Sequence, residues 1–297
     1  MKDREATLQI LEMLEQGKIT PEEAEALLQA LESRTQPQPR PSGSRTSTLR
    51  DLFSALWNRR QKAPPEARHP VSHALEGVQR LEILLEGGGL ELQADPERTL
   101  LEGETEAEDT WEVVDGVARW RIPAMPWASA TRARIPEGLP LQVEGQGCAL
   151  RVRQHRARLG LDLQGGKAVV EDHEGPLQAE VQGGVIRVTD QVGTVDLWIQ
   201  GGKAELHLRE MRPLRLVVEG GAAIVRVPPG AEFRVKPEIQ GGVLQMDDAL
   251  RARMHREGDA YVLGAHPEAE VQVNVQGGRV EFVEQRRSAP AEPATRS

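Results

Sequence analysis

LGLDLQGGKAVVEDHEGPLQAEVQGGVIRVTDQVGTVDLWIQGGKAELHL, residues 159–208, repeats one short phrase: an alternating apolar run, a glycine pair, and a second alternating run. Before the pairs, Leu159, Leu161 and Leu163, then Leu177, Ala179 and Val181, then Val195, Leu197 and Ile199 alternate with other residues. After them, Ala168 and Val170, Ile186 and Val188, and Ala204 and Leu206 do the same. Alternation with period two marks strands that bury one face. The glycines therefore reset the phase between two strands, and glycine suits such a corner because it takes positive φ with no Cβ clash.

Outward from this stretch, the same mark stands at Gly87 and Gly88, Gly165 and Gly166, Gly183 and Gly184, Gly201 and Gly202, Gly220 and Gly221, Gly241 and Gly242, and Gly277 and Gly278. From Gly165 onward the spacings are 18, 18, 19, 21 and 36 residues. The last is twice 18, which reads as one degenerate mark, and 18 residues before Gly165 stand Gly147 and Cys148. A fixed period of this length is an internal repeat.

Two architectures satisfy the alternation. Gly-Gly is a two-residue hairpin signal, so a meander with its apolar positions on one face fits. A meander of this many strands needs a second layer, and the sequence offers no long helices to supply it. A β-solenoid covers its own core and tolerates extra residues at its corners. The expected fold is mainly β: a β-solenoid of 18-residue coils with Gly-Gly corners over residues 76–284, preceded by a small α-helical hairpin and an amphipathic helix. At this period residues 78–283 would make about eleven coils, a rod on the order of 50 Å long at roughly 4.8 Å per coil. A one-layer interior leaves no room for a cofactor, and none is expected.

Composition agrees with a thin β-domain. Hydrophobic residues make up 38% and charged residues 28%, ordinary for a soluble chain, while aromatics are only 3%. The single cysteine, Cys148, excludes an intrachain disulfide framework. Residues 1–32 show no signal-peptide pattern and nothing approaches a transmembrane span, so the expected location is cytoplasmic, with peripheral contact at the inner face of the membrane. The net charge of −9 divides into −5 over residues 1–32, +6 over 33–62 and −10 over the rest, which argues against nucleic-acid binding by the β-region.

Residues 1–34 read as a helical hairpin. Leu8, Leu11 and Leu14 line a first helix; Thr20, Pro21 and Glu23 supply an N-cap, a first-turn proline and a capping-box glutamate for a second. So short a module buries little surface, and it is expected to bind a protein partner or a second copy of itself. Residues 35–48, rich in Pro, Ser, Gln and Arg, read as a disordered linker, and residues 285–297 as a disordered tail. Between them, residues 49–62 form a basic amphipathic helix: Leu52, Phe53, Leu56 and Trp57 share one face, and Arg59, Arg60 and Lys62 add charge. That face suits the open first coil, an anionic membrane surface, or a protein partner.

LQILEMLEQGKITPEEAEALLQALE, residues 8–32, resembles the SHOCT-like helical module that opens bacterial LiaX and YvlB type proteins. GDAYVLGAHPEAEVQVNVQGGRVEF, residues 258–282, resembles the closing coils of the β-strand-repeat domain of unknown function, named "putative adhesin", that follows in that family. The family usually shows Ser-Gly-Asp where this chain has Gln-Gly-Gly. The resemblance implies a non-enzymatic role in envelope stress or at a surface, and it supplies no catalytic residues.

Candidate chemistry is sparse. His69 and His73 have the spacing of helical metal ligands, but the neighbouring prolines place them in a loop and no third ligand follows. His155, His173, His207, His255 and His266 read as scattered, without a constant phase to the glycine marks. Glu171, Asp172, Glu205, Glu210, Asp247 and Asp248 fall at differing phases, against the clustered carboxylates of a polysaccharide-cleaving β-helix. Trp111 and Trp120 flank Asp115-Gly116, a hairpin signal that brings the two indoles together, with Trp127 nearby. The expected function is a non-enzymatic scaffold linked to envelope stress. The alternatives are an adhesin-like module binding glycans or other surface polymers and, less favoured, a polysaccharide-active enzyme. No catalytic, cofactor or metal site is assigned.

Overall fold

The computed structural model describes residues 69–285, apart from residue 107 and the side chains of residues 126–128, within the second of two units, Arg60–Ser297. The hairpin at 1–34, the linker at 35–48, the helix at 49–62 and residues 286–297 of the tail lie outside the described residues.

The described chain is mainly β, a 21-stranded sheet with one short helix. It opens with β1 (His69–Ala74), β2 (Arg80–Asp95), β3 (Leu100–Thr105), β4 (Thr110–Val114) and β5 (Val117–Pro136). Two-strand repeats follow: β6 (Leu141–Gln146) with β7 (Ala149–Arg153), β8 (Leu159–Gln164) with β9 (Lys167–Glu171), β10 (Leu177–Gln182) with β11 (Val185–Gln191), and β12 (Val195–Gln200) with β13 (Lys203–Leu208). Then come β14 (Leu214–Glu219) with β15 (Ala222–Val227), and β16 (Phe233–Gln240) with β17 (Val243–Met246). The chain ends through α1 (Asp248–Arg251), β18 (Met254–Glu257), β19 (Ala260–Leu263), β20 (Ala269–Gln276) and β21 (Arg279–Glu284).

Each repeat strand pairs in parallel with its equivalent one coil away. Leu159 stands beside Leu177 and Leu177 beside Val195; Ala168 stands beside Ile186 and Ile186 beside Ala204. The two strands flanking a glycine pair do not pair with each other, which rules out the hairpin meander. Their inward residues meet across one interior: Leu163, Val181, Ile199, Val218 and Val275 are all fully buried. Each such side chain contributes about 1.5–3 kcal/mol of burial.

The two glycines of a pair serve different ends. From the Gly165 pair onward the first holds a left-handed conformation, as at Gly201 (φ +67°), with open space where a Cβ would point. The second is a stacking requirement: a Cβ on Gly202 would lie 2.7 Å from the Gly184 carbonyl oxygen of the preceding coil, and one on Gly221 2.6 Å from that of Gly202. A second corner recurs with no glycine at all. Gln154, Asp172 and Asp190 take φ of 55°, 53° and 56° at the same place in successive coils. Beyond it a short third side carries His155, His173 and Gln191 inward, all with no exposed surface.

At both ends, order in space departs from order along the chain. The stack runs β5, β2, β6, β8, β10, β12, β14, β20, β16 along the first strands, nine levels among the described residues. The expectation of about eleven coils is too high. The 36-residue interval holds no degenerate coil; it holds α1 and the β18–β19 hairpin, after which β20 and β21 insert between the β14–β15 and β16–β17 coils. The outermost coils are covered by antiparallel strands: β3 and β4 on β5, and β19 on β16. Such covering keeps a parallel stack from presenting its full edge.

Boundaries shift accordingly. The β-domain already includes His69–Ala74, ahead of residue 76, because β1 pairs with β3. His69 and His73 thus lie on an edge strand, where Pro70 is tolerated, and not in a loop. Gln285 belongs to the fold: its backbone N–H donates to the Val227 carbonyl, and its amide donates to those of Leu208 and Arg226.

Candidate binding faces

Outward residues of the first strands form straight rows because the pairing is in register. One row runs Gln178, Asp196, Arg215, Gln272, Lys236, and its neighbour runs Glu180, Trp198, Val217, Asn274, Glu238. Trp198 projects between the buried Leu197 and Ile199 and is 42% exposed. Along the first row lie two adjoining grooves of about 550 and 790 Å³, which share Arg215, Glu270 and Gln272. The lane therefore offers donors, acceptors and one flat indole at strand spacing. Toward the earlier coils the second row continues as Asp162 and Glu144. Burial, and then the charge of Glu180, raises the Asp162 carboxyl above its usual range.

The second-strand face is bound up in ion pairs. Arg153 bridges Glu171 at 2.8 Å and Glu91 at 2.7 Å. Glu205 lies 2.9 Å from Arg187, 3.0 Å from Arg226 and 3.0 Å from His207. The hydrogen bond from His207, then that from Arg226, holds the Glu205 carboxyl down at about 2 against the opposing effect of burial. Lys167 is pushed down to about 8 by burial and by Arg187 and Arg151. These carboxylates are committed to cations across the stack, and Asp247 accepts from the Leu250 N–H to cap α1.

His155 and His173 do share a phase, contrary to the sequence reading. Each stands eight residues after the first glycine of its mark, and Gln191 continues the row after Gly183. Their alignment stacks polar side chains inside a largely apolar core, whose other buried polar side chains are Thr105, Ser129 and Thr131 among the described residues. His155 Nε2–H donates to the Leu139 carbonyl at 2.8 Å, while its Nδ1 is buried without a hydrogen-bond partner. His173 faces the Gln191 Oε1 at 2.9 Å and the Ala157 carbonyl at 3.0 Å. Burial pushes His155 down to about 4 and lowers His173 also.

At the β4–β5 end, Asp115 (φ 50°) and Gly116 (φ 75°) turn the expected hairpin, and Trp111 stands directly opposite Trp120. Trp120 is buried and donates through Nε1 to Asp109 at 2.5 Å; Trp111 stacks on His73 with centroids 4.2 Å apart. This cluster plugs the end of the core. The contact residues assigned to the amphipathic helix, Leu52, Phe53, Leu56, Trp57, Arg59, Arg60 and Lys62, lie outside the described residues. Among the described residues no helix is long and apolar enough to cross a membrane.

A family model described as a SHOCT-like domain matches residues 7–36. No curated protein matches the chain. Among solved structures, a "putative cell adhesion protein" from Clostridium sporogenes ATCC 15579 is similar at 14% identity over 74% of this chain and 99% of that one, with a TM-score of 0.32. A "putative adhesin" from Bacteroides fragilis NCTC 9343 is similar at 11% identity over 74% of this chain and 98% of that one, with a TM-score of 0.39.

Proposed function

We propose that this chain is a non-enzymatic β-solenoid scaffold that binds an extended, hydroxyl-rich surface polymer, such as a glycan, along the first-strand lane. The observation that carries this reading is the in-register pair of rows through Asp196 and Trp198, with the grooves running beside them. Amides, carboxylates and guanidinium groups supply both donors and acceptors for hydroxyl groups, and an exposed indole offers an apolar face to a sugar ring. Strand spacing repeats that chemistry along the stack, which suits a linear polymer more than a compact ligand.

The test is retardation of the full chain in native gels containing soluble neutral or charged polysaccharides, with Trp198→Ala beside the parent. Binding by the parent and about tenfold weaker binding by the variant are expected, the loss of about 1.4 kcal/mol of stacking. No retardation by any polymer, or equal retardation of both proteins, overturns the reading.

A second reading rests on the SHOCT-like match at residues 7–36. In it the chain is a LiaX/YvlB-like component of an envelope stress response, held to a protein partner by its helical module and working in the cytoplasm, with residues 49–62 touching an anionic membrane. Capture of a partner from native cells by the full chain, lost on deletion of residues 1–34, is the expected result.

A further inference from the structure

Six large apolar side chains are exposed among the described residues, and five of them sit at the two ends of the stack. Leu100, Val113 and Val114 (37, 47 and 46% exposed) lie on β3 and β4, outside the β5 coil; Ile239 and Val243 (46 and 47%) lie on the β16–β17 coil at the opposite end. Among the described residues β4 pairs with β5 alone and β17 with β21 alone, so each leaves an edge unpaired. An unpaired edge bearing exposed β-branched residues is a template for another strand. Lys236 and Pro237 blunt β16, but β17 (Val243, Leu244, Gln245, Met246) has neither residue type.

The ends also differ in charge: one is acidic, and the other presents guanidinium groups among carboxylates. Residues 100–115 contain seven acidic side chains and no basic one. At the far end, residues 247–257 contain Arg251, Arg253, Arg256 and His255 beside Asp247, Asp248 and Glu257. Arg251 meets Asp248 and Arg253 meets Glu284, while the Arg256 guanidinium donates to the Gly258 carbonyl.

We propose that these ends are the two halves of one interface, and that copies of this chain associate head to tail, the β4 end of one seated on the β17–β18 end of the next. The contact is heterologous, so it propagates the stack and does not close into a symmetric pair. Added salt weakens it, since the attraction between the acidic end and the exposed guanidinium groups of the other is screened.

Sedimentation velocity on the full chain tests this. The parent's average mass rises with concentration and falls on adding salt. Two double variants, Val113→Ser with Val114→Ser and Ile239→Ser with Val243→Ser, each lose this association while keeping the parent's thermal midpoint, because the altered side chains are exposed. Mixed together they form a species of twice the monomer mass and nothing larger, since each retains one intact end of opposite kind. A single mass for the parent up to about 1 mM overturns the proposal. So does a variant that assembles like the parent, which places association elsewhere in the chain, or one that still dimerises alone, which means that like ends meet.

Discussion

The imidazole rings of His155 and His173 stack inside the third side of the coil, with centroids 5.4 Å apart and planes 12° from parallel. They occupy one row with Gln191, so three consecutive coils place a polar side chain where the first-strand interior is purely apolar. Their hydrogen bonds run to carbonyls of the preceding coil, Leu139 and Ala157, and clip adjacent levels together.

This row makes the fold sensitive to acid. His155 falls from an ordinary 6.5 to about 4 because burial disfavours its charged form. A lowered value in the folded state means that its contribution is fully present above pH 6.5 and is lost as pH falls toward 4. The difference corresponds to about 3 kcal/mol. Glu205 adds a lower window: held at about 2, it contributes above its ordinary 4.5 and ceases to as pH falls toward 2. Thermal midpoints measured from pH 7.5 to 4.5 should fall steeply for the parent. His155→Leu, which removes the titrating group, should flatten most of that fall; an equal slope in the variant would show that other groups set it.

The glycine pairs predict an asymmetry between neighbours. Gly201→Ala asks only that alanine adopt φ +67° with open space around it, a cost of about 1–2 kcal/mol, and Gly201→Asn should cost less. Gly202→Ala drives a methyl group to 2.7 Å from the Gly184 carbonyl oxygen, which cannot yield without parting two coils. We expect about 3 kcal/mol or outright failure to fold. Urea denaturation of the three variants measures the order, and equal losses at Gly201 and Gly202 would contradict the stacking role.

The end plug yields a graded prediction. Trp120 is 1% exposed and pairs with Ile83 of the next level, so Trp120→Ala should cost about 3–5 kcal/mol. Trp111 lies outside it and holds His73, so Trp111→Ala should lose the stack for about 1 kcal/mol and the apolar contact beneath it. Because each coil contacts only its neighbours, hydrogen exchange should rise first in β1, β3, β4 and β5 and leave β10 to β13 protected.

How much of this was legible follows from where chain order and spatial order agree. From Leu141 to Val227 each coil stacks on the one before it, so period, alternation and glycine phase revealed the parallel coils directly. At the ends the chain doubles back. β20 slips inside β16, and the β5 coil turns its corner through residues 123–130 with no glycine pair, so the glycine interval carries no mark of it. The histidine row was hidden for another reason: pooled with His207, His255 and His266, His155 and His173 show no phase, and only with Gln191 does the position emerge as polar. The outward projection of Trp198 was readable from Leu197 and Ile199; the grooves beside it depend on β14 meeting β20, which no local pattern encodes.

Cys148 offers the sharpest test of the repeat as a packing code. It replaces the second glycine of its mark, and Gly145 replaces the inward residue that is Leu163, Val181 or Ile199 in later coils. The two departures compensate. A Cβ on Gly145 would lie 2.5 Å from the Cys148 Sγ, so the thiol occupies the space that an inward valine fills elsewhere. Burial pushes that thiol up to about 11, and it should resist thiol reagents until the protein unfolds. Cys148→Gly alone leaves a void and Gly145→Val alone forces a clash, each costing about 1–3 kcal/mol. The double variant restores the arrangement of Val181 with Gly184, so its loss should be well below the sum of the single losses. A double-mutant cycle by urea denaturation measures that coupling, expected at about 1–3 kcal/mol. Additive losses would mean that the sulfur and the missing side chain do not share one space.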